Sequence, residues 1–166
     1  MSRKVVVLLL VLILGVSLDQ WTKWLVVHGL PLGAQVPIIR DFFNLVITYN
    51  RGAAFGLLAN LSPVFAQAFF LGTTSLVLAV VGYLWWRLPE GEWPAGLAYS
   101  LIMAGAVGNF IDRLRLGEVI DFLDFYWGRY HWPAFNVADS LVCLGAGLLV
   151  WVIFREEKSQ DASNPV

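Results

Sequence analysis

Apolar residues fall into four long runs separated by polar connections. The first is Val5 to Leu18, extended by Trp21, Trp24 and Leu25 to about Val27. The others are Pro63 to Trp86, Pro94 to about Ile111, and Ala134 to Phe154. Each is close to the ~20 residues a helix needs to cross about 30 Å of hydrocarbon. Pro63 and Pro94 stand where the first turn of a helix tolerates proline. The pattern predicts spans at about 5–27, 63–86, 94–111 and 134–154 in a single integral membrane domain covering 1–166. All eight Trp residues (21, 24, 85, 86, 93, 127, 132 and 151) lie near span ends, where amphipathic rings favour the interface.

The connections differ in kind. Residues 87–93 make a short link with ordinary charges. Residues 28–62 contain Val36-Pro37-Ile38-Ile39 and Asn44 to Tyr49, the latter rich in β-branched and aromatic side chains, which predicts a small β hairpin. Gly52 to Leu61 is apolar but too short to span, and reads as an interfacial amphipathic segment. The polar stretch 156–166 predicts a disordered tail. The fold class is therefore an all-α membrane protein, a four-transmembrane-helix bundle with a small extracytoplasmic β hairpin or cradle.

Composition supports this picture. Of the 166 residues 58% are hydrophobic and 14% charged, against about 45–50% and about 25% in soluble domains. A formal net charge of −1 excludes nucleic acid as a partner, because that needs a basic face. The one cysteine, Cys143, excludes an internal disulfide and a cysteine metal cluster, and reads as a small core or lipid-facing residue. Arg3-Lys4 followed by an apolar stretch and Gly15-Val16-Ser17 also fits a cleavable signal peptide, but apolar character resumes beyond Asp19. Four spans put both termini on one side, with five basic residues there and six on the other, so the raw count leaves orientation open. Arg3 and Lys4 beside the first span favour cytoplasmic termini. The sequence carries no marker of oligomeric state.

The polar residues within the spans are not scattered. The end of span one, the start of span two, the end of span three and the start of span four share one membrane face. Asp19, Lys23, Asn50, Arg51, Asn109, Asp112, Arg113, Asp121, Asp124, Asn136 and Asp139 all map there. Gly105, Asn109 and Asp112-Arg113 fall at steps of three and four, hence on one helix face, as do Asn136 and Asp139. Asp19 and Lys23 are four apart and can pair. A carboxylate at the centre of a membrane helix costs ~2.5–3.5 kcal/mol on insertion scales. The blander readings are that Asp139 caps a helix, Asp112-Arg113 is an interfacial ion pair, and Glu118 and Asp124 are solvated loop charges. Convergence from three helices favours a polar functional pocket between spans one, three and four.

His28 and His131 fall outside this cluster, which disfavours His-based triads and metal sites. A Ser–Lys dyad would use Ser17 or Ser140 with Lys23, but Ser140 points about 100° round the helix from Asp139. Carboxylates remain. Two held close cannot both ionise, so one can activate water while the other, protonated, polarises a carbonyl. That is aspartic-protease chemistry and needs no metal or cofactor. A proton-coupled membrane carrier using the Asp cluster as a relay is the alternative, although the polar residues stop at one face.

Five stretches carry a resemblance: Asp19-Gln20-Trp21-Thr22-Lys23; Asn50-Arg51-Gly52-Ala53-Ala54-Phe55-Gly56; Gly105-x-x-Gly108-Asn109-x-x-Asp112-Arg113; Val119-x-Asp121-Phe122; and Phe135-Asn136-x-Ala138-Asp139-Ser140. In this order, with four spans, the chain resembles the bacterial lipoprotein signal peptidases, or signal peptidase II. The resemblance implies an intramembrane aspartic endopeptidase of the bacterial inner membrane that cuts prolipoproteins before a diacylglyceryl-modified cysteine. It places the catalytic pair on Asp121 and Asp139, and selects Asp121 over Asp124, which spacing alone leaves open. Asp19, Lys23, Asn50, Gly105, Asn109, Arg113 and Asn136 would bind substrate or orient the pair. The hairpin and Gly52–Leu61 would cradle the substrate at the outer leaflet.

Overall fold

The computed structural model describes residues 2–52 and 62–163. Four helices form the body: α1 (Arg3–Gly29), α2 (Pro63–Arg87), α3 (Trp93–Leu116) and α4 (Val137–Ser163). Each contains a stretch long and apolar enough to cross a membrane. The N-termini are locally specified. Ser2 and Ser62 accept N–H groups from Val5 and Phe65, and prolines occupy the first turns of α2 and α3. Gly117, at φ +76°, closes α3 in the left-handed conformation that a side chain would resist.

Helix α3 is the hub. It packs against α1, α2 and α4, whereas α2 touches α3 alone among the described elements. Half of the α3 span is buried inside the protein, against 6–17% for the other three, and its mean hydropathy of 1.4 is the lowest. The lipid-facing helices can be apolar all round; the central one cannot, because it must carry polar groups inward. Close approach comes from small residues, as is usual between membrane helices. A Cβ on Gly105 would collide with the Ala138 carbonyl of α4, and one on Gly108 would lie 2.6 Å from Asp19 Oδ2 of α1. Ala98, Ala104 and Ala138 are fully buried.

The expected hairpin is present as β1 (Gln35–Ile39) and β2 (Phe43–Asn50), and it is extended by β3 (Val119–Trp127) and β4 (Tyr130–His131) into an antiparallel sheet ordered β1-β2-β3-β4. Pro37 is tolerated because β1 is an edge strand. The β2–β3 register passes from Leu45↔Leu123 to Thr48↔Asp121, so β2 carries one extra residue next to Asp121. Such a bulge re-aims side chains locally. Phe125 stacks on Phe43 (centroids 4.6 Å apart) and on Phe135 (5.8 Å), which ties β3 to β2 and to the lead-in of α4.

Two sequence expectations change. Residues 119–127, where Asp124 was read as a solvated loop charge, are a strand; Asp121 and Asp124 masked its β pattern. Helix α4 runs beyond the apolar span through Ser163, into the stretch expected to be disordered; Glu156 to Ala162 contains no glycine or proline to stop it. The interfacial segment expected at Gly52–Leu61 lies, from 53 onward, outside the described residues. Cys143 is exposed on α4, not in the core.

Candidate active site

Three helix ends and the strand after α3 bring the polar residues together. The foundation is a buried ion triad. Lys23 Nζ donates to Asp19 Oδ2 at 2.9 Å, one turn back on α1, and to Asn109 Oδ1 at 3.0 Å, and it pairs with Asp112 Oδ2 at 2.7 Å. Its three protons are thereby used. Asp19, Lys23 and Asp112 are each 2% exposed or less. The carboxylates are satisfied on their other lone pairs. Asp19 Oδ1 accepts the Ala138 N–H at the start of α4 (2.9 Å), and Asp112 Oδ2 accepts the Ile120 N–H at the start of β3 (3.3 Å). Gln20 Nε2 donates to both Asp19 Oδ2 (3.1 Å) and Asp112 Oδ1 (2.9 Å). The triad therefore fixes where α4 and β3 begin relative to α1 and α3.

Above it sit Asn109 and Asn136, whose amides are oriented by their neighbours. Asn109 Oδ1 accepts from Lys23 and from Asn136 Nδ2 (3.1 Å), so its Nδ2 faces Asp139 Oδ1, at 2.7 Å. Asn136 caps α4. Its Oδ1 accepts the Asp139 N–H (3.0 Å) while Asp139 Oδ2 accepts the Asn136 N–H (3.1 Å), a reciprocal capping box. Asn136 Nδ2 also donates to Asp121 Oδ1 at 2.7 Å. One buried residue thus contacts both carboxylates, Asp121 through its side chain and Asp139 through its backbone N–H. Asn50 completes the ring: its Oδ1 accepts the Gly52 N–H (2.7 Å), which turns Nδ2 to Asp121 Oδ2 at 2.9 Å.

Asp121 is 2% exposed and Asp139 is half-buried. Burial, reinforced by the Asp139 charge, pushes the Asp121 carboxyl up from 3.8 to about 6, against the opposing pull of the Asn50 and Asn136 hydrogen bonds. A neutral acid and a carboxylate can coexist here near neutral pH, which is the state that activates water and polarises a carbonyl together.

All nine residues singled out from the sequence lie in or against this assembly, in different ways. Gly105 contributes closeness between α3 and α4 rather than polarity. Arg113 makes no ion pair among the described residues; its guanidinium lies over the Phe70 ring, 5.0 Å from the centroid. With Thr73, Thr74, Val77, Ala106 and Asn109 it lines a groove of about 200 Å³ between α2 and α3. Asp112 pairs with Lys23, not with Arg113. Asp124 is no solvated loop charge: it is 5% exposed and accepts from Asn44 (2.9 Å), because β3 places it inside the sheet. Glu118 is half-buried and pairs with the exposed Arg51 (2.8 Å). Gln20 was missed as a network member; it follows Asp19 directly, and helical spacing points the two apart. Ser140 Oγ donates to the Asn136 carbonyl and is far from being a free nucleophile.

Residues 10–155 match the family model described as Signal peptidase (SPase) II. The chain belongs to the signal peptidase II family. Similar proteins include the lipoprotein signal peptidases of Syntrophotalea carbinolica, 45% identical over 90% of this chain and 92% of the relative, and of Desulforapulum autotrophicum, 47% identical over 93% and 96%. A solved bacterial membrane enzyme structure superposes with a TM-score of 0.81 at 31% identity, covering 96% of this chain and 93% of that one. Membership in signal peptidase II makes this multi-pass membrane protein a peptidase of the aspartic type acting on lipoprotein precursors. The carrier reading has no such support.

Proposed function

We propose that this signal peptidase II cleaves prolipoproteins immediately before a diacylglyceryl-modified cysteine, with Asp121 and Asp139 as its catalytic pair. The observation that carries the assignment is Asn136, which donates to Asp121 through its side chain and to Asp139 through its backbone. In the reactive state Asp121 holds a proton and Asp139 is ionised. Asp139 removes a proton from a water as its oxygen attacks the scissile carbonyl carbon. Asp121 gives its proton to the carbonyl oxygen, forming a neutral tetrahedral diol. Return of that hydroxyl proton to Asp121 and transfer of the Asp139 proton to the amide nitrogen break the C–N bond, releasing an acid and an amine and restoring both groups.

Asn109 and Asn50 keep the pair oriented, and the Asp19–Lys23–Asp112 triad holds the three helices that carry it. The groove beside Asn109 and Arg113 gives a membrane-bound peptide access from the α2 side. The diacylglyceryl group then anchors the cysteine at the depth of the pair, so the scissile bond is positioned at little further entropic cost. We place the protein in the bacterial inner membrane with both termini cytoplasmic and the sheet extracytoplasmic, supported by Arg3 and Lys4 at the start of α1. The test is incubation of the purified protein with a precursor peptide with and without the diacylglyceryl group. Cleavage of the lipidated form alone is expected; equal cleavage of both would overturn the lipid requirement.

A further inference from the structure

Two groups of charged side chains stand apart from the proposed catalytic pair. On the sheet, Asp124 accepts from Asn44 Nδ2 at 2.9 Å and from His131 Nδ1 at 2.8 Å, so both of its oxygens are satisfied by the fold itself. The charges at the opposite end of the bundle are not. There α2 passes to α3 through residues 88–92, and α4 leaves its apolar span at Arg155. Between the start of α3 and this part of α4 lies an open cavity of about 310 Å³, whose lining includes Glu92, Trp93, Pro94, Trp151, Val152 and Arg155. Its volume is that of a small-ligand site, ~300–1,000 Å³.

Two opposite charges border this cavity without meeting. Glu92 is the N-cap of α3, yet its side chain accepts no N–H of the first turn. Arg155 lies over the Trp151 ring, 5.5 Å from its centroid and one turn along α4. Stacked in this way, a guanidinium keeps the N–H groups on its edge free to donate. Among the described residues neither Glu92 nor Arg155 has an ion-pair partner. Lys4, on the α1 side of Glu92, does not neutralise it: Nζ donates to the Leu88 carbonyl at 2.7 Å and sits 4.8 Å from the Trp85 ring centroid. Trp93 and Trp151 are 61% and 50% exposed, and both stand near span ends, where indole rings settle at the headgroup level of a bilayer. Pro94 and the buried Val152 make the rest of the wall apolar.

We propose that this cavity binds the headgroup of a zwitterionic phospholipid of the phosphatidylethanolamine class. Arg155 donates to the phosphate, Glu92 accepts from the ammonium, and Trp93 and Trp151 flank the headgroup. A purely anionic headgroup would satisfy Arg155 but bring a negative charge beside Glu92, whereas one ligand carrying both signs satisfies both residues. The two indole rings favour a lipid over a free zwitterion of the same chemistry, because they set the cavity at the membrane surface. Ile153 and Phe154, exposed on α4 beside it, offer apolar surface to the acyl chains. Trp93 and Asn109 are ~24 Å apart along α3. The site therefore lies in the leaflet opposite the catalytic pair, apart from any lipid of the precursor, and stands independently of the cleavage reaction proposed above.

The test is competition between lipids for the purified, delipidated full-length protein. The protein in detergent micelles is mixed with equal amounts of phosphatidylethanolamine and phosphatidylglycerol bearing the same acyl chains, and native mass spectrometry reads the first lipid retained. Wild type should retain phosphatidylethanolamine over phosphatidylglycerol roughly fivefold or more, the worth of one hydrogen bond. Glu92→Gln should abolish that preference. Arg155→Gln should lower retention of both lipids roughly tenfold, as for a hydrogen bond to a charged group. Both side chains are exposed, so each variant should cleave a lipidated precursor within about twofold of wild type. Equal retention of the two lipids by wild type, or a preference that survives Glu92→Gln, would overturn the site. So would loss of cleavage in parallel with loss of lipid, which would place the effect in the fold. Retention of soluble glycerophosphoethanolamine as tight as that of the lipid would overturn the phospholipid as occupant.

Discussion

Replacing Lys23 by Met removes a charge while nearly preserving volume, and it tests the triad directly. The ammonium serves Asp19, Asp112 and Asn109 at 2.9, 2.7 and 3.0 Å, and none of the three charged groups is more than 2% exposed. Without it, two carboxylates remain buried with no cation against them. Removing one partner of a buried ion pair costs about 3–5 kcal/mol, and the two losses here overlap because they share one lysine. We therefore expect Lys23→Met to lower unfolding stability by about 3–5 kcal/mol, measured by denaturant titration in mixed micelles at pH 7. Adding Asp19→Asn or Asp112→Asn should recover part of the loss, since one unpaired charge disappears. Asn109 would also lose the donor that fixes its amide, so activity should fall even at temperatures where the variant stays folded. A loss below about 1 kcal/mol, the level of a surface ion pair, would refute the triad as the element that locks the helices.

Gly105→Ala should cut cleavage at least tenfold and destabilise the fold by about 1–3 kcal/mol, since its Cβ meets the Ala138 carbonyl; steady-state kinetics and unfolding titrations check both. With Asp121 raised to about 6, kcat/KM should decline above that pH as its proton is lost, a limb that a pH–rate profile would reveal. The same group makes the folded state bind more protons than the unfolded one between 3.8 and about 6. Stability should therefore fall as pH rises through that window, by up to roughly 3 kcal/mol, and Asp121→Asn should flatten the dependence. Chelators, serine reagents and Ser140→Ala should leave turnover within about twofold, because hydrolysis by two carboxyls uses neither metal nor hydroxyl; an assay after EDTA treatment and on the variant decides.

The bundle was legible because membrane spans must be long and apolar, which leaves a one-dimensional mark. The hairpin was legible too, since Val36–Ile39 and Asn44–Tyr49 have strand composition. Strand β3 was not. Val119 to Trp127 has few turn residues, but Asp124 read as a solvated loop charge, and only long-range pairing with β2 buries it. The convergence of Asp19, Lys23, Asn109, Asn136 and Asp139 followed from helix spacing and shared membrane face. The bonds between them did not. That Lys23 takes Asp112, and that Asn136 spans Asp121 and Asp139, depends on distances between helices that small residues such as Gly105 and Gly108 set. The Asn44–Asp124–His131 cluster was invisible for the same reason: its members come from three strands, one of them unrecognised.

The central claim is that Asp121 and Asp139 act together on the scissile bond. The most direct measurement pairs binding with single-turnover cleavage of a diacylglyceryl-modified precursor by Asp121→Asn and Asp139→Asn. An amide is nearly isosteric with the carboxyl but cannot exchange a proton in either role. Both variants should bind the precursor within about threefold of wild type, a change worth less than one hydrogen bond, and neither should cut it. Cleavage by either variant within tenfold of the wild-type rate would contradict the account.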